Sequence, residues 1–376
     1  MNSAFKQTNK NNIYQKRFAK LFSLMQENNI SAIFIPPCGN MRYFSGITLM
    51  SDDRFNCLIL TNKGEGHLVV SPLYEGEATK IKDQFAIYCY HSADDCQQYL
   101  KGIIPNEGDL LLDETMRAGH LLQLMALFGK DREYQIATPI LSKLRLYKDE
   151  EESLLMHKAG EISAKAYEQI LTQIKEGISE LELASKLEQK MTELGGEGIA
   201  FDTIVCFGAN CANPHHIPDQ TKLKKGDCIL MDFGCKVGGY CADISRSCHL
   251  GQPKQSYIDC YRAVKNALEA AKAVIRPGVL PQEIDEAARN VLQNAGIVDR
   301  FIHSIGHGLG LDVHEAPALP KNGQTPLEAG MAFTIEPGVY FPGEFGIRIE
   351  DAVIIHEDGH VSDLHILDKT LTILPI

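Results

Sequence analysis

Apolar residues at Phe18, Leu21, Phe22 and Met25 recur at helical spacing and predict a helix over 13–27. Short strand-like runs follow at 32–35, 57–61, 67–71, 85–90 and 109–113, set between Gly, Pro and Asn turns, with one further helix over 115–128. Together they describe an α/β layout with no convergent polar cluster. Its most distinctive piece, Asn40 to Gly46, reads as a packed surface turn, with a substrate-facing loop as the alternative. The pattern changes at the charged junction 146–152, which opens a long helical stretch reaching Lys175. A domain boundary is expected there, giving units 1–145 and 146–376. Gly177 stops the helix, and Ser179 with Glu182 makes a capping box for the next, out to about Leu194.

The second unit reads as internally duplicated. Ile174-Lys-Glu-Gly-Ile-Ser-Glu-Leu-Glu182 recurs as Ile275-Arg-Pro-Gly-Val-Leu-Pro-Gln-Glu283, each after an Ala-rich amphipathic helix. Gly226-x5-Asp232-Phe-Gly234 recurs as Gly330-x5-Glu336-Pro-Gly338. Each half is helix, helix, strands, then a carboxylate at a strand end, so two facing halves would share a site on a pseudo-symmetry axis. In the first half, a chain reversal between Val237 and Gly238 makes Asp232 and Asp243 direct cross-strand partners. In the second, a turn centred on Gly343 makes partners of Glu336 and Glu350. Side chains so placed have Cβ atoms about 4.5–5.5 Å apart, and like charges there repel. Between apolar strands, that repulsion calls for a cation or a shared proton. One such pair is weak evidence, because hairpins often carry charge on a solvated face. Four carboxylates at equivalent places in two repeats point to a metal site.

Composition narrows the setting. Apolar residues make up 44% and charged residues 23%, as in ordinary globular proteins. A net charge of −12 argues against a nucleic-acid surface and is compatible with divalent cations. The eleven Cys contain no C-x-x-C pair, and Cys57 and Cys228 sit in apolar runs, the pattern of reduced, buried thiols in a cytosolic protein. Met1 to Asn12 is polar and lacks a signal peptide's layout, and no apolar segment has membrane-spanning length. A cytoplasmic protein that binds neither membrane nor nucleic acid is expected.

Gly306-His-Gly-Leu-Gly310 adds His307, in a backbone too Gly-rich for a helix. Alone it reads as a turn with a solvated His; beside the carboxylates it becomes a fifth donor. One imidazole and four carboxylates exceed the needs of a single zinc and suit two bridged ions. Oxygen-rich ligation favours Mn²⁺, with Co²⁺, Zn²⁺ and Fe²⁺ as alternatives. Two ions about 3.5–4 Å apart are the equipment of a metal-assisted hydrolase.

Asp232, Asp243, His307, Glu336 and Glu350, in that order and spacing, resemble the five ligands of the pita-bread dinuclear metallopeptidases, which include methionine aminopeptidase, aminopeptidase P and prolidase, with metal-free creatinase as a relative. Phe201-Asp-Thr-Ile-Val, Asn213-Pro-His215, His303-x3-His307-Gly-x-Gly, Val313-His-Glu315, Glu336-Pro-Gly and Arg348-Ile-Glu-Asp351 resemble the aminopeptidase P/prolidase branch. The likeness implies an α/β N-terminal domain followed by an α+β pita-bread domain. It implies metal-dependent hydrolysis of the peptide bond preceding proline in short peptides, as an Xaa-Pro dipeptidase or an Xaa-Pro aminopeptidase, and a homodimer. By the same likeness, Glu336 is both ligand and general base, and His215 helps stabilise the oxyanion. His314 supports proton transfer, and His303 lines the proline-side subsite. Arg348 orients Glu350 or meets a substrate carboxylate.

This chain has His216 after Pro-His, where Ala or Gly is usual, which leaves a register ambiguity. Cys206, Cys211 and Cys241 fall where small residues are usual, which predicts sensitivity to thiol reagents. A non-catalytic pita-bread binding module and a metal-free creatinase-like hydrolase are the rival readings; the first typically lacks ligands that this chain has, and the second would leave clustered charge uncompensated. His356, His360 and His365 read as a solvated hairpin around Glu357-Asp358-Gly359 in preference to a second metal site. Lys222, Lys224 and Lys225 read as an exposed turn.

Overall fold

The computed structural model describes residues 13–376, so the polar stretch 1–12 lies outside the described residues. The chain separates into two compact units, one ending at Arg145 and the other running from Leu146 to Ile376.

The first unit is built on a six-stranded mixed sheet in the order Ala86–Cys89, Gly66–Val70, Cys57–Thr61, Ile30–Ile35, Asp109–Leu112 and Tyr134–Ile136. The three strands 30–35, 57–61 and 66–70 are buried at every position, which is why they read as mostly apolar runs, interrupted only by Ser31, Thr61 and His67. Helices Ile13–Glu27 and Ala118–Phe128 form as the spacing predicts, the second starting three residues late. Asn40 to Gly46 is not a turn. Gly39–Ser45 is a helix with Met41, Tyr43 and Phe44 buried, closed by Gly46 at φ 76°. Seven residues are too few to show helical periodicity, and the left-handed Gly at its end was the available sign.

In the second unit each half pairs two helices with a sheet whose strand pairings are antiparallel, except that Thr372–Leu374 runs parallel to Ile244–Leu250 in the first half. The first half has Glu150–Ile170 and Glu180–Glu193 over the strand order Thr372–Leu374, Ile244–Leu250, Cys228–Phe233, Ile204–Phe207. The second has Gln255–Ala273 and Pro281–Asn294 over Glu315–Leu319, Gly306–Gly308, Ala332–Ile335, Asp351–Ile355, Val361–Asp363. Leu183, Leu187 and Met191 line the buried face of one short helix, and Ile284, Ala288 and Leu292 that of its counterpart, each at a four-residue repeat. One apolar cluster joins the first half's helices to its sheet, and a second joins the other half's helices to its own sheet and reaches Cys206, Cys228 and Leu230 on the first half's strands. The repeat extends to the turns. Gly177 and Gly278 take φ 84° and 85°, and their N–H groups donate to Leu223 O and Leu327 O at 2.8 and 2.6 Å.

The hairpins carry the carboxylates. In the first, Val237 pairs with Tyr240 and Asp232 with Ser245, so the reversal falls at Gly238-Gly239, both at positive φ as a two-residue hairpin turn demands. The expected Asp232–Asp243 pairing is therefore out of register by two residues. A two-residue slip keeps every side chain on its face, so both aspartates still point the same way. The second hairpin has the predicted register throughout: Phe341 pairs with Phe345, Gly338 with Arg348 and Ile335 with Asp351, which sets Glu336 opposite Glu350. The halves are stitched where Ile244–Leu250 meets 345–350. There Glu350 N–H donates to Ser245 O at 3.1 Å, and Arg348 N–H to Ser247 Oγ at 3.2 Å.

Candidate metal centre

Every residue singled out above as ligand, catalytic group or substrate contact lines one cavity of about 670 Å³ in the second unit. Asp243, His307 and Glu350 each offer a ligand atom within 4.8 Å of the others. His307 stands on the strand Gly306–Gly308, where its Nδ1 lies 3.2 Å from Gly308 O. A carbonyl only accepts, so Nδ1 holds the proton and Nε2 presents a lone pair. Burial, and then His314 beside it, pushes the His307 pKa down to about 4, so the ring is neutral. That lone pair lies 3.5 Å from Asp243 Oδ2 and 3.5 Å from Glu336 Oε1. Three acceptors thus converge with no donor between them. Asp232 Oδ1 and Glu350 Oε1 are also buried without a hydrogen-bond partner among the described residues.

Such a cluster strains its own ionisation. Burial, then Glu350 and Asp232, pushes the Asp243 carboxyl well above its ordinary value. Burial, then Glu336 and Asp232, does the same to Glu350. Glu336 rises from 4.5 to about 7, by burial against the opposing pull of Arg348. Carboxyls crowded together in a largely buried site beside a neutral imidazole fit divalent cations, whose charge would favour the ionised, ligating form.

The support around the ligands is specific. Ser245 Oγ donates to Glu350 Oε2 at 2.7 Å and accepts from Arg348 Nε at 2.7 Å. The Arg348 guanidinium also holds Asp232 Oδ2, and its Nη1 donates to Tyr340 Oη at 2.9 Å. Arg348 thus pairs directly with Asp232 and reaches Glu350, which it was expected to orient, through Ser245 Oγ. Tyr340 Oη in turn meets His303 Nε2 at 2.9 Å, while His303 Nδ1 faces Ser304 O at 2.8 Å. With Nδ1 donating to that carbonyl, Nε2 must accept from Tyr340. Burial, then Arg348, lowers the His303 pKa to about 4, in keeping with a neutral ring. His303 therefore offers the cavity its carbon edge and no ring nitrogen. Ser245 and Tyr340 escaped the sequence reading. The corrected register puts Ser245 opposite Asp232, and Tyr340 shares a face with Glu336 four residues earlier.

His314 lies edge-on to His307 at 4.2 Å between ring centroids, its pKa lowered by burial and then by His215. His215 is exposed at the cavity wall. His216 turns away, with Nε2 2.7 Å from Glu180 Oε2, which assigns the cavity-facing place to His215. Cys206, Cys211 and Cys241 have no exposed surface, and burial pushes the Cys241 thiol up to about 12, so the expected thiol-reagent sensitivity has no structural basis. His356 and His360 stack across a turn, but His365 is buried against Asp351 at 3.3 Å and is no part of a solvated hairpin. Lys222, Lys224 and Lys225 are exposed. No helix among the described residues is long and apolar enough to cross a membrane.

Residues 154–357 match metallopeptidase family M24, and residues 17–147 match the creatinase/prolidase N-terminal domain. The chain belongs to metallopeptidase family M24. Within it, the Xaa-Pro dipeptidase of Pyrococcus furiosus is 33% identical over 345 residues, spanning 92% of this chain and 96% of that protein. A solved dipeptidase from Pyrococcus horikoshii OT3 is 36% identical, with a TM-score of 0.89 over 95% of this chain and all (100%) of that one. A solved prolidase from Thermococcus sibiricus is 32% identical, with a TM-score of 0.91 over 98% and 100%. The fold is accordingly a creatinase-type N-terminal domain plus a pita-bread domain. An M24 metallopeptidase works with divalent metal, and the carboxyl and imidazole cluster here is a donor set that suits it.

Proposed function

We infer that the chain is a metal-dependent Xaa-Pro dipeptidase, a prolidase, with 146–376 as its catalytic domain and 1–145 as its creatinase-like companion. The observation that carries this reading is the convergence of the neutral His307 lone pair with buried carboxylates at 3.5 Å on the cavity wall. The names of the relatives supply the proline specificity. Asp232, Asp243, His307, Glu336 and Glu350 would hold two ions, Mn²⁺ foremost. Such ions lower the pKa of a water and polarise a carbonyl.

The remaining chemistry belongs to the side chains. Glu336, held ionised when it ligates, is the base that takes a proton from water. His215 donates to the oxygen of the scissile carbonyl, where charge develops. His314, neutral and beside His307, relays a proton toward the amide nitrogen. The X–Pro amide has no N–H to be recognised, so its site must read shape. The carbon edge of His303, with Ile302 and Val313 also on the cavity wall, offers an apolar seat for a pyrrolidine ring. Arg348 fixes Asp232. The same reading includes a cytoplasmic homodimer.

Hydrolysis of Ala-Pro, Ala-Pro-Ala and a longer X-Pro peptide tests this reading, with Mn²⁺ and then with EDTA. The dipeptide alone should be cut, and EDTA should stop the reaction. Cleavage of the longer peptides would replace the dipeptidase with an Xaa-Pro aminopeptidase. No cleavage by metal-loaded protein would refute the proline specificity.

A further inference from the structure

Glu180 opens the helix Glu180–Glu193, yet its side chain is fully buried, at 0% exposure. A buried carboxylate is costly unless its lone pairs are met. Here all four positions are filled. Oε1 accepts from Phe207 N–H at 2.8 Å and Asn210 Nδ2 at 2.9 Å. Oε2 accepts from His216 Nε2 at 2.7 Å and Asp219 N–H at 3.2 Å. Glu180, His216 and Asp219 have the composition of a cation site, but no lone pair of Glu180 is left for an ion. The carboxylate is a clamp, and what it clamps is the segment 207–219, at both ends.

That segment carries His215. Adjacent side chains diverge: His216 goes inward onto Glu180, and His215 faces the cavity. The His215 ring makes no hydrogen bond among the described residues; only its N–H is tied, to Asn213 Oδ1 at 3.3 Å. Its placement therefore depends on the backbone, held by the Glu180 clamp on one side and by Arg348 Nη1 on Pro214 O at 3.4 Å on the other.

We propose that Glu180 and His216 are positioning residues that aim His215 at the scissile carbonyl. The proposal rests on the role given to His215 above. It is tested by a double-mutant cycle on Mn²⁺-loaded enzyme with Ala-Pro, with Mn²⁺ binding and Tm measured on every variant. His216→Ala should lower kcat at least about tenfold with KM within about twofold, and leave Mn²⁺ stoichiometry intact. His216→Gln, whose amide can still donate to Glu180, should recover most of the rate. In a His215→Ala background, His216→Ala should change kcat by less than about twofold, because it aims a group no longer there. Should His216→Ala not fold, Asn210→Ala removes another donor and runs the same cycle. Normal turnover by His216→Ala, additive losses in the double mutant, or loss of Mn²⁺ in step with kcat would each overturn the clamp. Normal turnover by His215→Ala would instead overturn the parent role of His215, and the clamp with it.

Discussion

His307 and Glu336 sit 3.5 Å apart and are displaced in opposite directions, the imidazole down to about 4 and the carboxyl up to about 7. The sign of each shift decides how the site meets a cation. Above its pKa His307 is already neutral, so it offers its lone pair without releasing a proton. Glu336 is mostly protonated below about 7 and must lose its proton to ligate, and Asp243 and Glu350 are raised in the same direction. Metal affinity should therefore fall as the pH drops below 7, by about tenfold per pH unit for each proton displaced. Calorimetry of Mn²⁺ binding at pH 6, in two buffers of different ionisation enthalpy, should show proton release. Affinity that stays flat between about pH 5.5 and about pH 8 would contradict the raised carboxyls.

Backbones pass so closely around the hairpins that some positions admit no side chain. A Cβ on Gly234 would lie 1.8 Å from Ala242 O, immediately before Asp243. Gly234→Ala should push that segment away, costing about 3 kcal/mol in a denaturant melt and weakening Mn²⁺ binding. Gly177→Ala is the contrast. Its φ of 84° is strained but nothing lies within 4 Å of the new methyl, so a loss of about 1–2 kcal/mol with Mn²⁺ binding unchanged is expected. Equal effects on metal binding would mean that Gly234 does not fix Asp243. This element also shows where the sequence was readable and where it was not. The second hairpin has a single Gly343 at its turn and a register that could be read directly, whereas the first has Gly238 and Gly239 adjacent, and the centre chosen was one residue early. Face survived that error because a slip of two preserves parity, so all four carboxylates could still be assigned to one site. Ser245 and Tyr340 were missed because a hydroxyl on a strand looks like any polar position until its partners are known.

The proposed donors of the centre come from both repeats, Asp232 and Asp243 from one and His307, Glu336 and Glu350 from the other, and the halves meet where Glu350 N–H reaches Ser245 O. A cation held by both would have to leave before the halves could part, so binding should stabilise the seam itself. With free metal at about 100 times Kd, the bound state gains about 2.7 kcal/mol, which corresponds to roughly 100-fold slower exchange for amides that open only with the seam. Hydrogen exchange should therefore slow on adding Mn²⁺ in Cys228–Phe233, Ile244–Leu250, Ala332–Ile335 and Asp351–Ile355, from both halves together. The strands Ile30–Ile35 and Cys57–Thr61 belong to the unit that supplies no donor and should be unaffected. Protection confined to one half of the second unit would mean that the ion is held by that repeat alone. The pseudo-symmetric reading of the site, which began as two similar strings of residues, would then fail at the scale where it matters.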